Sequence, residues 1–148
     1  MKLKLLLPFL FVIYSCAQDS SIDRDDLIEK AGAPLLNGLG SHSFTISSKV
    51  EGVQDYFNQG LIMAFAFNHA ESIRSFKAAQ KLDPNCAICF WGEALALGPN
   101  INVTSDGKAI MSPQERLDAF ERTNKAIALI ELASPKEKDF ILTLKSVS

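Results

Sequence analysis

Hydrophobic residues recur at spacings of three and four along most of the chain after residue 48, which is the periodicity of amphipathic helices. The pattern predicts five helices, at about 49–66, 69–82, 84–97, 113–133 and 135–147. The third is apolar almost all round, which is typical of a helix with neighbours on several sides. In the fourth, Leu117 and Phe120 are expected to face inward. Short turns and the lack of a convincing sheet predict an all-α fold.

Start signals support several of these helix boundaries. Residues 112–115 and 134–137 each combine a Ser at the N-cap, a Pro at the first helical position and a Glu for a capping box. Asn68 with Glu71 predicts a further capping box. Pro84 is expected in the first turn of the third helix, where its missing N–H does no harm.

The segment before residue 49 is polar and lacks a long helical pattern. Residues 17–30 are rich in acidic side chains, and they predict a flexible tether with at most one short helix at 25–31. Residues 43–46 (Ser-Phe-Thr-Ile) alternate, so they are expected either to form a short strand or to pack as an extended arm on the first helix. Residues 98–111 predict a loop, since Gly, Pro, Asn and Ser interrupt the periodicity.

The first fifteen residues have the form of a signal peptide, with Lys2 and Lys4 preceding an apolar run over residues 5–14. That run is shorter than the 20 or so residues that a membrane-spanning helix needs. Residues 13–16 (Ile-Tyr-Ser-Cys) resemble a bacterial lipobox, although its second position usually holds a smaller residue. We therefore expect a lipid on Cys16 and an exported protein anchored to a bacterial membrane, facing the periplasm or the cell surface. The alternative is an ordinary secretory signal, with Cys16 incidental.

These features divide the chain into a lipoprotein signal peptide (1–15), a tether with an extended arm (16–48) and a helical domain (49–148). After removal of the signal, 13 basic residues stand against 17 acidic ones. No basic stripe is present, so nucleic-acid binding is not expected. The sequence also lacks a nucleophile elbow, a glycine-rich phosphate loop and a carboxylate pair in an apolar frame. We therefore expect neither catalysis nor a cofactor.

Five residues in the middle of the chain follow a characteristic spacing: Tyr56, Gly60, Phe76, Ala79 and Pro84. A glycine lets two helix backbones approach closely, and a large and a small residue on one face fill the space between them. This spacing resembles the tetratricopeptide repeat, whose period is about 34 residues. The resemblance implies antiparallel helical hairpins in a short right-handed α-solenoid, with the second repeat interrupted by the loop at 98–111.

A more extended resemblance covers roughly residues 39–148. The segments at 39–44, 67–76, 82–87 and 91–102 are similar to those of uncharacterised exported bacterial tetratricopeptide proteins. Such proteins have no settled activity, and they usually contain further repeats. The resemblance therefore favours a chain that is part of a longer repeat array; the alternative is a short array in which the last helix, at 135–147, serves as a cap.

Repeat proteins of this kind usually bind other chains, so the predicted function is a scaffold for a protein or peptide partner. The partner would lie in the groove formed by the first helices of successive hairpins. The candidate contacts are Asn58, Met63, Glu93, Asn100 and Asn102. Glu93 could equally belong to a solvated face. Asn100 and Asn102 lie in the loop that interrupts the repeat, where insertions often map to the binding face.

The alternative function is a metal- or haem-associated periplasmic protein that uses His42, His69, Cys86 and Cys89. Four such side chains could complete a structural zinc site if they converged. The Cys-x-x-Cys pair has other interpretations as well: two buried small residues, a local disulfide, or a redox pair at a helix start.

Overall fold

The elements of the fold follow the predicted helices closely. The computed structural model describes residues 23–99, 104–105, 108–109 and 111–145. The helices in these ranges are α1 (Arg24–Ala31), α2 (Val53–Phe65), α3 (His69–Leu82), α4 (Ala87–Leu97), α5 (Pro113–Ala128), a 3₁₀ turn (Ile130–Leu132) and α6 (Pro135–Lys145). Two antiparallel strands of two residues each, β1 (Thr104–Ser105) and β2 (Lys108–Ala109), interrupt them. The all-α class is confirmed, and none of the described helices has the length and apolarity needed to cross a membrane.

Successive helices pack on one another in chain order. α2 lies against α3, α3 against α4, and α4 against α5, while α6 packs on α4 and α5. The centre of the stack is Phe76, which is fully buried. A methyl group at Gly60 would lie 2.9 Å from the Phe76 ring, and one at Gly92 would overlap it. Glycine at both positions therefore lets α2 and α4 close on α3.

Several predicted caps are present. Ser112 Oγ accepts from the amide of Glu115 at 3.1 Å, and Glu115 Oε2 accepts from the amide of Ser112 at 2.7 Å, so the capping box of α5 is complete. Asn68 caps α3 by accepting from the amide of Glu71. The predicted second hydrogen bond of that capping box, from the Asn68 amide to the Glu71 carboxylate, is wrong. The Glu71 carboxylate pairs with Arg74 at 2.7 Å instead.

Three predicted boundaries are also wrong. α2 begins at Val53 instead of 49, since Gly52 at its N-cap has a left-handed backbone (φ 80°). α4 begins at Ala87 instead of residue 84, because Asp83 Oδ1 accepts from the amide of Asn85 at 3.0 Å and closes a turn around Pro84. α5 ends at Ala128, after which the chain tightens into the 3₁₀ turn instead of continuing to residue 133.

Within the range predicted as a tether and an extended arm, the short helix expected at 25–31 is present as α1, and the described residues pack against the other helices. Leu27 and Ala31 lie one turn apart on α1 and are buried, as are Ala33 and Ile46 farther along the chain. The Tyr56 hydroxyl donates to the Ala33 carbonyl at 2.6 Å. The acidic residues of this segment occupy the outer side of a helix whose inner side belongs to the core.

Candidate functional site

An extended segment of the chain lies along α2, and we call residues 43–47 the arm. Two side chains of α2 hold its backbone. Asn58 Oδ1 accepts from the amide of Phe44 at 3.1 Å, and Gln54 Oε1 accepts from the amide of Ile46 at 3.0 Å. Gln54 Nε2 in turn donates to the Phe44 carbonyl at 2.9 Å. The arm therefore bonds to side chains of a helix instead of forming a strand.

Aromatic contacts fix the arm between α2 and α6. The Phe44 ring lies 5.9 Å from that of Phe57 on α2 and 5.2 Å from that of Phe140 on α6. Phe140 also packs edge-on against Trp91 on α4, at 5.4 Å. The predicted groove would run along α2 and α4, the helices expected to begin the two hairpins, and the chain's own arm and α6 lie there instead.

Three of the predicted groove residues, Asn58, Met63 and Glu93, lie within the described part of the chain. Asn58 holds the arm, as described above, and its Nδ2 also donates to Ser43 Oγ at 3.2 Å. Met63 is only 8% exposed. Asn100 and Asn102 lie outside the described residues. The described groove residues therefore do not form an open surface.

Glu93 is neither an open groove residue nor part of a solvated face, because it is only 1% exposed. Gln80 Nε2 donates to its Oε2 at 2.7 Å. Lys77 Nζ and Arg122 Nε each lie 3.6 Å from its Oε1, which is ion-pair distance but too long for a hydrogen bond. The carboxylate is thus an internal link between α3, α4 and α5.

Cys86 and Cys89 form a disulfide across the first turn of α4, with their Cα atoms 5.3 Å apart. Among the interpretations of the Cys-x-x-Cys pair that the sequence left open, the structure therefore agrees with the local disulfide. A metal ion would need thiolates, which the bonded sulfur atoms do not supply.

His69 lies at the other end of α4 from this disulfide, and His42 lies beside α2. His69 Nδ1 donates to the Ala96 carbonyl at 2.7 Å, near the end of α4 opposite to Cys86. Ten helical residues separate those ends by about 15 Å. His42 lines an open polar cavity of about 420 Å³ between α2 and residues 35–43. In the described ranges no three His, Cys, Asp or Glu residues are placed to hold a metal ion.

A second cavity, of about 380 Å³, is mainly apolar and lies where α4, α5 and α6 meet. Met111, Phe120 and Leu144 line it, and Leu117 precedes Phe120 by one helical turn on α5. We call these four residues the end face. Leu117 is 59% exposed and Phe120 53% exposed, so the prediction that they face inward is wrong. Helical periodicity identifies an apolar stripe, but it does not show whether another helix covers that stripe.

Comparison with protein-family models, with curated proteins and with solved structures finds no match for this chain.

Glu137 gives the attachment of the arm a dependence on pH. It is buried, and its carboxylate accepts from the amides of Ser47 at 2.9 Å and Ser134 at 2.7 Å. Burial raises the pKa of this carboxyl, but hydrogen bonds from Ser134 and Ser47 outweigh burial and hold the pKa below its ordinary value of 4.5. A lowered pKa stabilises the folded state above the unfolded pKa, and that stabilisation is lost as the pH falls through the folded pKa.

We therefore expect the fold, and the arm first, to loosen on acidification below about pH 4.5. Urea unfolding at about pH 6 and about pH 3 measures the loss of stability. Glu137→Gln cannot ionise, so its stability should fall less between the two conditions than that of the unaltered chain. Equal losses in both proteins would contradict this role for Glu137.

Proposed function

We propose that this protein is a tetratricopeptide-type interaction module that binds a partner protein and performs no catalysis itself. The stacking of α2 to α5 in chain order supports this assignment, as does the close approach of helices at Gly60 and Gly92 around Phe76. Helical stacks of this kind offer extended surfaces to other chains.

The end face is the observation that carries the proposal. Large apolar side chains in neighbouring positions on an exposed surface mark interaction sites. The partner we propose is an amphipathic helix, because α2, α3 and α4 each pack on the next helix, whereas Leu117 and Phe120 of α5 remain exposed although α6 packs on α5. A helix of this kind would place its apolar side chains in the cavity beside Phe120.

Leu117→Glu tests this surface, since it puts a charge where the partner's apolar side chains would pack. Binding hot spots contribute about 2 kcal/mol or more, so the dissociation constant should rise at least about thirtyfold. The partner captured by the unaltered protein is purified, and its affinity for each variant is measured by calorimetry. Val50→Glu is the matched control, because Val50 is also half exposed but precedes α2. Equal affinities for both variants would contradict the proposal.

We also propose that a lipid on Cys16 anchors the module to the outside of a bacterial membrane. The basic, apolar and lipobox-like segments of residues 1–16 support this, although they lie outside the described residues. Two or more acyl chains hold a protein firmly, whereas one chain binds marginally. Cys16→Ser should therefore move the protein from the membrane pellet to the soluble fraction and abolish the incorporation of radiolabelled palmitate. Membrane retention without the label would contradict lipidation.

A further inference from the structure

The contacts of the arm are those of a peptide bound to a receptor surface. Gln54 and Asn58 recognise its backbone amides and one carbonyl, which every peptide possesses. Glu137 extends this recognition by accepting from the amide of Ser47. We call the set of Gln54, Phe57, Asn58, Glu137 and Phe140 the arm site. Its polar members fix the direction and register of an extended chain without selecting its sequence.

Two side chains of the arm supply the selectivity. Phe44 packs between Phe57 and Phe140, and Lys136 Nζ lies 4.1 Å from the centre of its ring. Ile46 is buried in the core, whereas Thr45 between them is exposed. In an extended chain, alternate side chains point to the same side. The arm site therefore fits an aromatic residue followed, two positions later, by an aliphatic one.

The arm is also joined to its surroundings by segments that can move without breaking a helix. Residues 36–43 are mostly exposed, and Gly38 and Gly40 have positive φ values with no heavy atom near the position of a side chain. On the other side, Gly52, which has a φ of 80° and packs against Leu27, separates the arm from α2. Both joints lie outside the helices, so release of the arm would not require α2 or α6 to unfold.

We propose that the arm site is a second recognition surface, which binds an extended segment of a partner protein with the pattern aromatic–x–aliphatic. The arm is the resident occupant, and a partner segment of the same pattern replaces it. This surface lies on α2 and α6 and does not include the end face, so it is independent of the helix-binding surface proposed above.

The test titrates the full chain with a synthetic peptide of residues 41–49 and follows Trp91, the sole tryptophan, which packs on Phe140. Phe44→Ala in the protein weakens the resident arm, so this variant should bind the peptide at least about tenfold more tightly than the unaltered protein. Replacing the peptide's own Phe by Ser should abolish binding, and replacing its Thr by Ala should leave it unchanged. Adding Asn58→Ala to the protein variant should weaken binding by about tenfold or less, as expected for one or two hydrogen bonds.

Three results would overturn the proposal. The first is a folded Phe44→Ala variant that does not bind the peptide. The second is equal binding of the original peptide and of the peptide in which Ser replaces Phe. The third is a dimer in which the arm of one copy fills the site of the other, since that would make the occupant a second copy. If Phe44→Ala does not fold, the proposal is tested instead by measuring hydrogen exchange in the unaltered chain. Excess peptide should then accelerate exchange at the amides of Phe44 and Ile46, and unchanged exchange would refute the proposal. None of these outcomes depends on Leu117 or Phe120. A negative result would therefore not affect the proposal that the end face binds a partner.

Discussion

Phe76→Ala should lower the free energy of unfolding by about 3–5 kcal/mol, the usual cost of removing a buried phenylalanine. Phe76 is fully buried, and its ring lies 5.4 Å from that of Phe57. It fills the space that Gly60 and Gly92 leave between α2, α3 and α4. No small side chain would fill that space, so a cavity would remain. Urea unfolding followed by circular dichroism measures the change.

Gly92 provides an internal control for this prediction. Gly92→Ala should cost about 1–3 kcal/mol, because the added methyl group would overlap the Phe76 ring. Residues in direct contact do not contribute additively to stability. In a Phe76→Leu background the cost of Gly92→Ala should therefore become smaller. Strict additivity of the two substitutions would contradict the packing described here.

Glu93→Leu should also lower the free energy of unfolding. The carboxylate is buried and is bonded to Gln80, with Lys77 and Arg122 at ion-pair distance. Breaking a fully buried pair costs about 3–5 kcal/mol. Lys77 is 61% exposed and Arg122 34% exposed, so water can take over part of their solvation. We therefore expect a loss of about 1–3 kcal/mol.

Glu121→Gln is the matched control for Glu93, because Glu121 also pairs with Arg122 but is 68% exposed. An exposed ion pair contributes between about 0 and 1 kcal/mol, and salt screens it. Urea unfolding of both variants at low and high salt separates the two roles. A Glu93 variant as stable as the Glu121 variant would contradict the internal link between α3, α4 and α5.

The sequence predicts the helices well because local signals define most of them. The capping boxes at residues 112–115 and 134–137 depend on neighbouring residues only, and both form. The start of α4 is predicted wrongly, since the side chain of Asp83 closes a turn around Pro84. A competing local hydrogen bond is not visible in a periodicity argument.

The candidate sites are harder to predict because they depend on contacts between distant parts of the chain. Ser47 and Glu137 are 90 residues apart, yet their hydrogen bond fixes the end of the arm. Glu93 is the only charge in an apolar helix, and its sequence neighbours do not reveal Lys77 and Arg122. Leu117 and Phe120 have the spacing of core residues although they are exposed. Sequence patterns identify such residues as unusual but do not indicate their partners.

Site-specific photo-crosslinking tests the interaction function most directly. A photoreactive amino acid replaces Phe120 on the end face, or Val50 as the control, in the full chain inside the cells that produce it. We predict that the Phe120 probe forms a crosslink to one defined protein, that Leu117→Glu abolishes it, and that the Val50 probe does not form it. Equal crosslinking from both positions, or none from Phe120, would contradict an interaction module that uses the end face.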